Sequence, residues 1–359
     1  MAVSNVNFQS GVNFQEGAQI LSPLIQEIQD MVDSEVGLKD EAAKYGFTMG
    51  DVLTPSGVIT SMVWPEYLPE ISEDGEAPLI TLTQGYDKGY ELKGYGAATK
   101  TTKLFIEWLK TAQTLQGVDS SVKAELGKFK DNMVRLMRSS KRTVNREFAN
   151  LLAKGFGAAT AAFWPGSNSP DGVSLFNASH VVKSDGSTYS NLLASALTAV
   201  SLEAAIQSYK TTVKSASGFR LDTPSMFTLL VPRALETAAR KILNSSGDQA
   251  GIYAGTASNA NLLNVFSFQG SKVELVVLDM LGETDKNGGK VGGANADAMW
   301  FLLNKEYALE YGAFRIFTLW NDEVETWYEP KTSSSFTKLT SWWGLDHYNP
   351  ESIMWYPGA

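Results

Sequence analysis

The sequence predicts an α+β chain, and three observations predict it. A helical signal runs from Ser120 to Lys154, strand-like segments punctuated by glycine precede it, and strands alternate with helices between about residues 201 and 303. At 359 residues the chain has room for two or three domains and a sizeable core. It holds no cysteine and only two histidines, His180 and His347, which excludes disulfide frameworks, thiolate-bound metals and cysteine nucleophiles. No G-x-S-x-G elbow supports a serine hydrolase. No apolar run approaches the roughly 20 residues of a membrane span, and the first residues form no basic or apolar leader.

Residues 1–19 are rich in Asn, Gln, Ser and Gly and read as an extended arm. Ser22 and Pro23 then open a short amphipathic helix to Gly37, whose outer face is acidic and includes Glu27 and Asp30. Val52 to Pro69 reads as strand and turn. The stretch Leu79 to Leu109 alternates Thr, Tyr and apolar residues around Gly85, Gly89, Gly94 and Gly96, and reads as a long β-hairpin too poor in apolar residues to build its own core.

From Ser120 to Lys154, Val122, Leu126, Phe129, Met133, Leu136, Met137, Val144, Phe148 and Leu151 fall on an arc of about 120° at helical spacing. The remaining circumference carries Lys123, Lys128, Lys130, Arg135, Arg138, Lys141, Arg142 and Arg146. With Lys154 that makes nine basic residues against Glu125, Asp131 and Glu147, a segment at +6 in a chain of net charge −9. Such a face can neutralise phosphates without reading sequence. It can equally be a solvated surface or the partner of the acidic arm helix.

Residues 157–188 read as an irregular connection. An alanine-rich helix opened by Ser201, a strand at Met226–Val231, a helix from Pro232 to about Leu243, and strands at Lys272–Leu278 and Ala298–Leu303 then form an α/β module. From Trp300 to Tyr356 there are 15 aromatic residues, which reads as β-structure buried in a core or at interfaces.

Few chemical motifs survive inspection. Gly288 to Gly293 lacks the Lys-Ser/Thr pair and the first glycine of a phosphate loop, so it reads as a flexible surface loop. Ser120 and Lys123 match S-x-x-K without the elements that accompany it, and Ser120 reads as a helix cap. Asp322, Glu323, Glu325 and Glu329 are a candidate carboxylate pair or cation site, or simply a polar strand face. His180 has no carboxylate partner that the sequence reveals and reads as structural.

Several stretches together resemble the major capsid proteins of tailed bacteriophages, with their Hong Kong 97-type fold. The resemblance rests on the order of segments: arm, strand, hairpin ending in Gly94-Tyr95-Gly96, long amphipathic helix, and the loop Asp171-Gly172-Val173-Ser174-Leu175-Phe176-Asn177-Ala178-Ser179-His180. It rests most on Pro224 to Leu243, where Thr228-Leu229-Leu230-Val231-Pro232 leads into Leu235-Glu236-Thr237-Ala238 and Ile242-Leu243. It implies an N-terminal arm (1–50), a peripheral domain (51–74, 113–195 and 306–359) with Ser120–Lys154 as spine helix, an extended β-hairpin loop (75–112) and an axial α/β domain (196–305).

The function it implies is structural. Many copies would self-assemble through pentamers and hexamers into a phage head in the host cytoplasm, enclosing double-stranded DNA held by nonspecific electrostatics. Separate scaffolding, portal and decoration proteins are expected partners, and no membrane, cofactor, metal or catalytic residue is. No long segment precedes the arm, which leaves a separate scaffold or an earlier cleavage open. The resemblance makes Lys123, Lys128, Lys130, Arg135, Arg138, Lys141, Arg142 and Arg146 candidates for the DNA-facing surface. Tyr86, Lys88, Tyr90, Lys93, Tyr95, Glu27 and Asp30 are candidates for contacts between subunits. The same fold builds encapsulin nanocompartments that enclose enzymes, which is the alternative; a soluble α/β enzyme using the carboxylates at 322–329 is a remoter one.

Overall fold

The computed structural model describes residues 42–63, 70–71, 83–102, 104, 120–155, 168–192, 194–244, 266, 272–284, 288–329, 331–332 and 334–356. The arm and its acidic helix, with Glu27 and Asp30, lie outside these residues. The strands are β1 (Phe47–Asp51), β2 (Ser56–Val63), β3 (Thr83–Glu91), β4 (Lys93–Thr102), β5 (His180–Val181), β6 (Thr188–Tyr189), β7 (Phe227–Pro232), β8 (Val273–Leu278), β9 (Trp300–Leu303), β10 (Phe314–Glu329), β11 (Ser334–His347) and β12 (Ile353–Tyr356). The helices are α1 (Ser120–Lys154), α2 (Ala199–Thr212), α3 (Glu236–Asn244) and α4 (Lys305–Glu310).

The chain divides into two compact units. The first takes in Lys93–Thr143 and Thr318–Trp343, the second Glu41–Leu92, Val144–Phe317 and Gly344–Ala359. In the first, β4 runs antiparallel to β11 from Lys93↔Trp343 to Thr102↔Ser334, and β10 lies on the other side of β11. One face of this sheet buries Thr337, Leu339, Ser341 and Trp343. On the opposite face Trp327 stacks on Phe336, with centroids 5.3 Å apart.

The hairpin differs from its expected position. The segment 83–102 does not fold back on itself: β3 pairs with β2, from Ser56↔Glu91 to Val63↔Thr83, while β4 pairs with β11. Two of the glycines that read as turn punctuation, Gly85 and Gly94, make room for side chains on the partner strand, as does Gly57 on β2. A Cβ on Gly94 would sit 2.8 Å from the Trp342 ring, and one on Gly57 would sit 2.7 Å from Tyr90. The hairpin arms are therefore 56–63 and 83–91.

In the second unit the last turns of α1 are buried from Glu147 to Ala153, with Arg146 and Lys154 exposed at either end. Val144, Phe148, Leu151 and Leu152 are in the core, where Phe148 stacks on Phe47 at 4.0 Å, and Phe47 lies 5.0 Å from Phe314. Glu147, expected on the outer face, is buried and accepts from Arg146 at 2.9 Å. The 288–293 loop helps to cover these turns: Gly292, at φ +87°, brings its backbone so close that a Cβ would lie 2.8 Å from that of Ala153, and its N–H donates to Asn150 Oδ1. Val291 is buried as well, so this half of the loop is packed and not a free surface loop.

The α/β module forms around the sheet β12-β9-β7-β8, in which β7 and β8 are parallel. β7 is buried along its whole length, as expected of a strand covered on both faces. Helix α2 lays Leu202, Ala205, Ile206 and Tyr209 against Phe227, Leu229, Val231 and Trp300. Its cap lies three residues before the expected one: Thr198 caps it and Ser201 completes a reciprocal capping box. Pro232 ends β7 and a single 3₁₀ turn leads into α3. The edge strand β12 comes from residues 353–356, bringing the end of the described chain beside β9.

Candidate nucleic-acid interface and buried polar centre

Helical geometry places Arg135, Arg138, Arg142 and Arg146 within about 80° of one another around α1, on the side away from Val144, Phe148 and Leu151. All four are exposed and Lys141 is half-buried. The stripe spans about 16 Å of axis. Guanidinium groups suit phosphate oxygens, to which they can donate in pairs, though that of Arg146 already donates to Glu147 through Nε and Nη2. The side chains of Lys123, Lys128 and Lys130 lie outside the described residues.

The candidates for contacts between subunits turn out to have partners inside the chain. Tyr86, Lys88 and Tyr90 alternate along one side of β3. The Tyr86 hydroxyl donates to the Val181 carbonyl at 3.2 Å, with the Lys183 ammonium 4.8 Å from its ring, and Tyr90 stacks on Phe317 at 4.5 Å. Tyr95 stacks on Trp343 at 4.6 Å. Lys93, half-buried, begins β4 opposite Trp343.

Lys88 departs most from expectation. Its ammonium is buried and donates to Asp346 Oδ1 at 2.6 Å and to the His347 carbonyl at 2.6 Å, so it offers no amine at the surface. Burial lowers the Lys88 pKa despite the pull of Asp346, and burial pushes the Asp346 carboxyl up to about 6 against the pull of Lys88.

Around this pair lies a buried polar centre. His347 Nε2 is 3.1 Å from Ser169 Oγ, and its Nδ1 is 3.5 Å from Asp346 Oδ1. This outlines a Ser-His-Asp arrangement, but it is no activated nucleophile. The Nδ1 distance is too long for a hydrogen bond, Asp346 is engaged by Lys88, and burial holds the imidazole well below its ordinary basicity. His180 has the carboxylate partner that the sequence hides: Nδ1 lies 2.8 Å from Asp171 Oδ2, and Nε2 3.1 Å from the Leu175 carbonyl. Both ring nitrogens thus face acceptors, and the loop 171–180 is pinned from within.

Glu351 is buried nearby and accepts from the Tyr307 hydroxyl at 2.9 Å; burial raises its pKa to about 7. It lines a cleft of about 800 Å³ in the second unit, with Tyr86, Asp171, Arg220 and Glu306 among the other walls. Asp346 and Glu351 escape the sequence because their partners, Lys88 on β3 and Tyr307 on α4, lie far along the chain, and Asp171 because its partner His180 stands at the other end of an irregular loop. The carboxylates at 323–329 do not converge. Glu325 pairs with Lys338 and Glu329 accepts from Thr332, while the Asp322 side chain lies outside the described residues. Among the described residues no cluster of three His, Asp or Glu could hold a metal ion, and no helix is long and apolar enough to cross a membrane.

No curated protein matches the sequence. Among solved structures, the chain is similar to the capsid protein of cyanophage P-SCSP1u (10% identity, 87% of this chain and 86% of that one, TM-score 0.45). It is similar to that of the bacteriophage PhiM1 mature capsid (11%, 86% and 83%, 0.46) and to a virus-like particle from Pyrococcus furiosus (10%, 93% and 98%, 0.42). The model of the phage capsid protein family matches residues 119–348, which take in the long helix, the α/β module and the β10–β11 pair. The chain belongs to the phage capsid protein family, as a structural protein of the virion shell.

Proposed function

We propose that the chain is the major subunit of a tailed-phage head, self-assembling through pentamers and hexamers around double-stranded DNA. The observation that carries the DNA assignment is the exposed stripe Arg135, Arg138, Arg142 and Arg146 on α1, within a chain of net charge −9. Such a stripe supplies a diffuse attraction that holds duplex without fixing its sequence or register. In this reading α1 is the spine of a peripheral domain and the sheet β12-β9-β7-β8 with its helices is the axial domain. The β2–β3 hairpin is the extended loop that lies over a neighbouring copy, placed earlier in the chain than the sequence suggests. Assembly takes place in the host cytoplasm, with scaffolding, portal and decoration proteins as separate partners.

Electron microscopy of particles from infected cells tests the reading. Concentric nucleic-acid layers inside a shell built of this chain are expected. Particles filled with protein cargo would replace DNA by enzymes as the content, and a small oligomer that never assembles would remove the shell assignment altogether.

A further inference from the structure

The cleft of about 800 Å³ lies within the second unit, and its walls carry five carboxyl groups against three cations. Two of those cations are engaged. Lys214 donates to the Ser187 hydroxyl at 2.9 Å, with Asp185 3.8 Å away, while Arg315 donates to the Gly312 carbonyl and lies over the Tyr348 ring. Glu351, 6% exposed, accepts from the Tyr307 hydroxyl, yet among the described residues no lysine or arginine is paired with it. A buried carboxylate without a cation is costly, and a ligand that brings one would meet a real deficit. The sequence Lys305-Glu306-Tyr307-Ala308-Leu309-Glu310-Tyr311 repeats Glu-Tyr at an interval of four, so α4 and its C-cap set two carboxylates and two rings along the cleft. The Tyr307 and Tyr311 rings lie 4.5 Å apart, and Glu306 is fixed by the Ser225 N–H at 3.0 Å and the Ser225 hydroxyl. Glu306 and Glu310 are exposed, and Tyr307 reaches from α4 to the buried Glu351. Its ring therefore stands between carboxylates at the mouth and a carboxyl group at the floor.

We propose that this cleft binds an aliphatic diamine, with one ammonium group at Glu306 and Glu310, the other at Glu351, and the methylene chain along the Tyr307 and Tyr311 rings. Each ammonium offers three donors to carboxylate acceptors, and the ring faces attract the same charge. The methylenes between them cover ring surface that a strongly hydrated ion would leave wet. Two anionic stations separated by the length of a tyrosyl side chain call for two charges. A lysine or arginine side chain of another molecule brings one. A divalent metal ion puts both charges at one point, and among the described residues no three His, Asp or Glu side chains converge to hold it. The volume falls within the roughly 300–1,000 Å³ of small-molecule sites.

Isothermal titration calorimetry of the full-length, unassembled protein with putrescine tests this. At about pH 8 the amine is charged, and Glu351 is above the value of about 7 to which burial pushes it. Saturable uptake of one putrescine per chain is expected, with butylamine, which carries a single charge, binding about tenfold or more weakly. Glu351→Gln should weaken putrescine about tenfold or more and Glu310→Gln, on the exposed rim, several-fold. Circular dichroism of both variants should match the wild type, so that a loss of binding is read on folded protein. No saturable uptake by the wild type would overturn the proposal. Uptake that both variants retain in full would place the amine elsewhere and overturn it equally. Butylamine binding as tightly as putrescine, or magnesium displacing putrescine at matched ionic strength, would reduce the site to general acidity and overturn it too.

Discussion

The two units bury polar groups in opposite ways. In the sheet of the first, the inward face carries neutral hydroxyls, Thr337 and Ser341, between Leu339 and Trp343. In the second, the interior holds Lys88, Asp346, His180, His347 and Glu351. A neutral hydroxyl that fails to find a partner costs about 1–3 kcal/mol, less than a stranded charge, and replacing it by an apolar group of the same shape is correspondingly mild. A buried charge has value only through its partner, so each removal exposes an uncompensated group. Charged interiors of this sort make a structure specific at the expense of tolerance.

Breaking the second unit's centre should give the largest effect. Lys88→Met strands Asp346 and is expected to lower stability by about 3–5 kcal/mol in urea unfolding, with Lys88→Met/Asp346→Leu recovering most of it. If the double variant is as damaged as the single, packing and not charge compensation holds this region. Glu351 comes next. Its folded pKa of about 7 lies above the ordinary glutamate value of 4.5, so its contribution is full at low pH and is lost as pH rises through about 7. Glu351→Gln should match the wild type near pH 5 and exceed it at pH 8, by on the order of 3 kcal/mol. A constant difference across that range would mean that Glu351 does not titrate in its buried site.

The first unit should respond more gently. Gly94→Ala forces a methyl to within 2.8 Å of the Trp342 ring, and about 1–3 kcal/mol is expected from thermal unfolding. Thr99 buries a hydroxyl without a hydrogen-bond partner, so Thr99→Val should be neutral or stabilising by up to about 1 kcal/mol. A clear loss there would reveal a partner that the geometry does not contain. The smallest stability change, within about 0.5 kcal/mol, is expected for Arg135→Glu/Arg138→Glu/Arg142→Glu on the exposed stripe. The same triple variant should sharply reduce the DNA retained per particle. Unfolding of the isolated subunit by these changes would make the stripe structural.

Much of this was legible in the sequence where the signal is local. The ends of α1 follow from an unbroken 3.6-residue pattern, and the order strand, Pro232, helix follows from an apolar run ended by a residue that cannot continue a ladder. The basic stripe was legible too, since Arg135, Arg138 and Arg142 need only helical spacing. Glu147 was not, because the loop around Gly292 that helps to close the end of the helix lies far along the chain. The hairpin arms were misplaced because a glycine that turns the chain and a glycine that lies beneath Trp342 look alike in sequence. The polar centre was invisible for a similar reason: Lys88 and Asp346 are separated by 258 residues, and neither stands in a motif.

That separation also has a consequence in time. At a synthesis rate of roughly 5–20 residues per second, Lys88 is made about 13–52 s before Asp346. Throughout that interval β3 carries an ammonium group with no interior to enter, and water is its best solvent. The hairpin can zip against β2 early but cannot be fastened until the far end of β11 arrives. A shell-forming chain built in this way withholds a finished hairpin from its neighbours until its own translation is nearly over, which separates the making of a subunit from the joining of subunits.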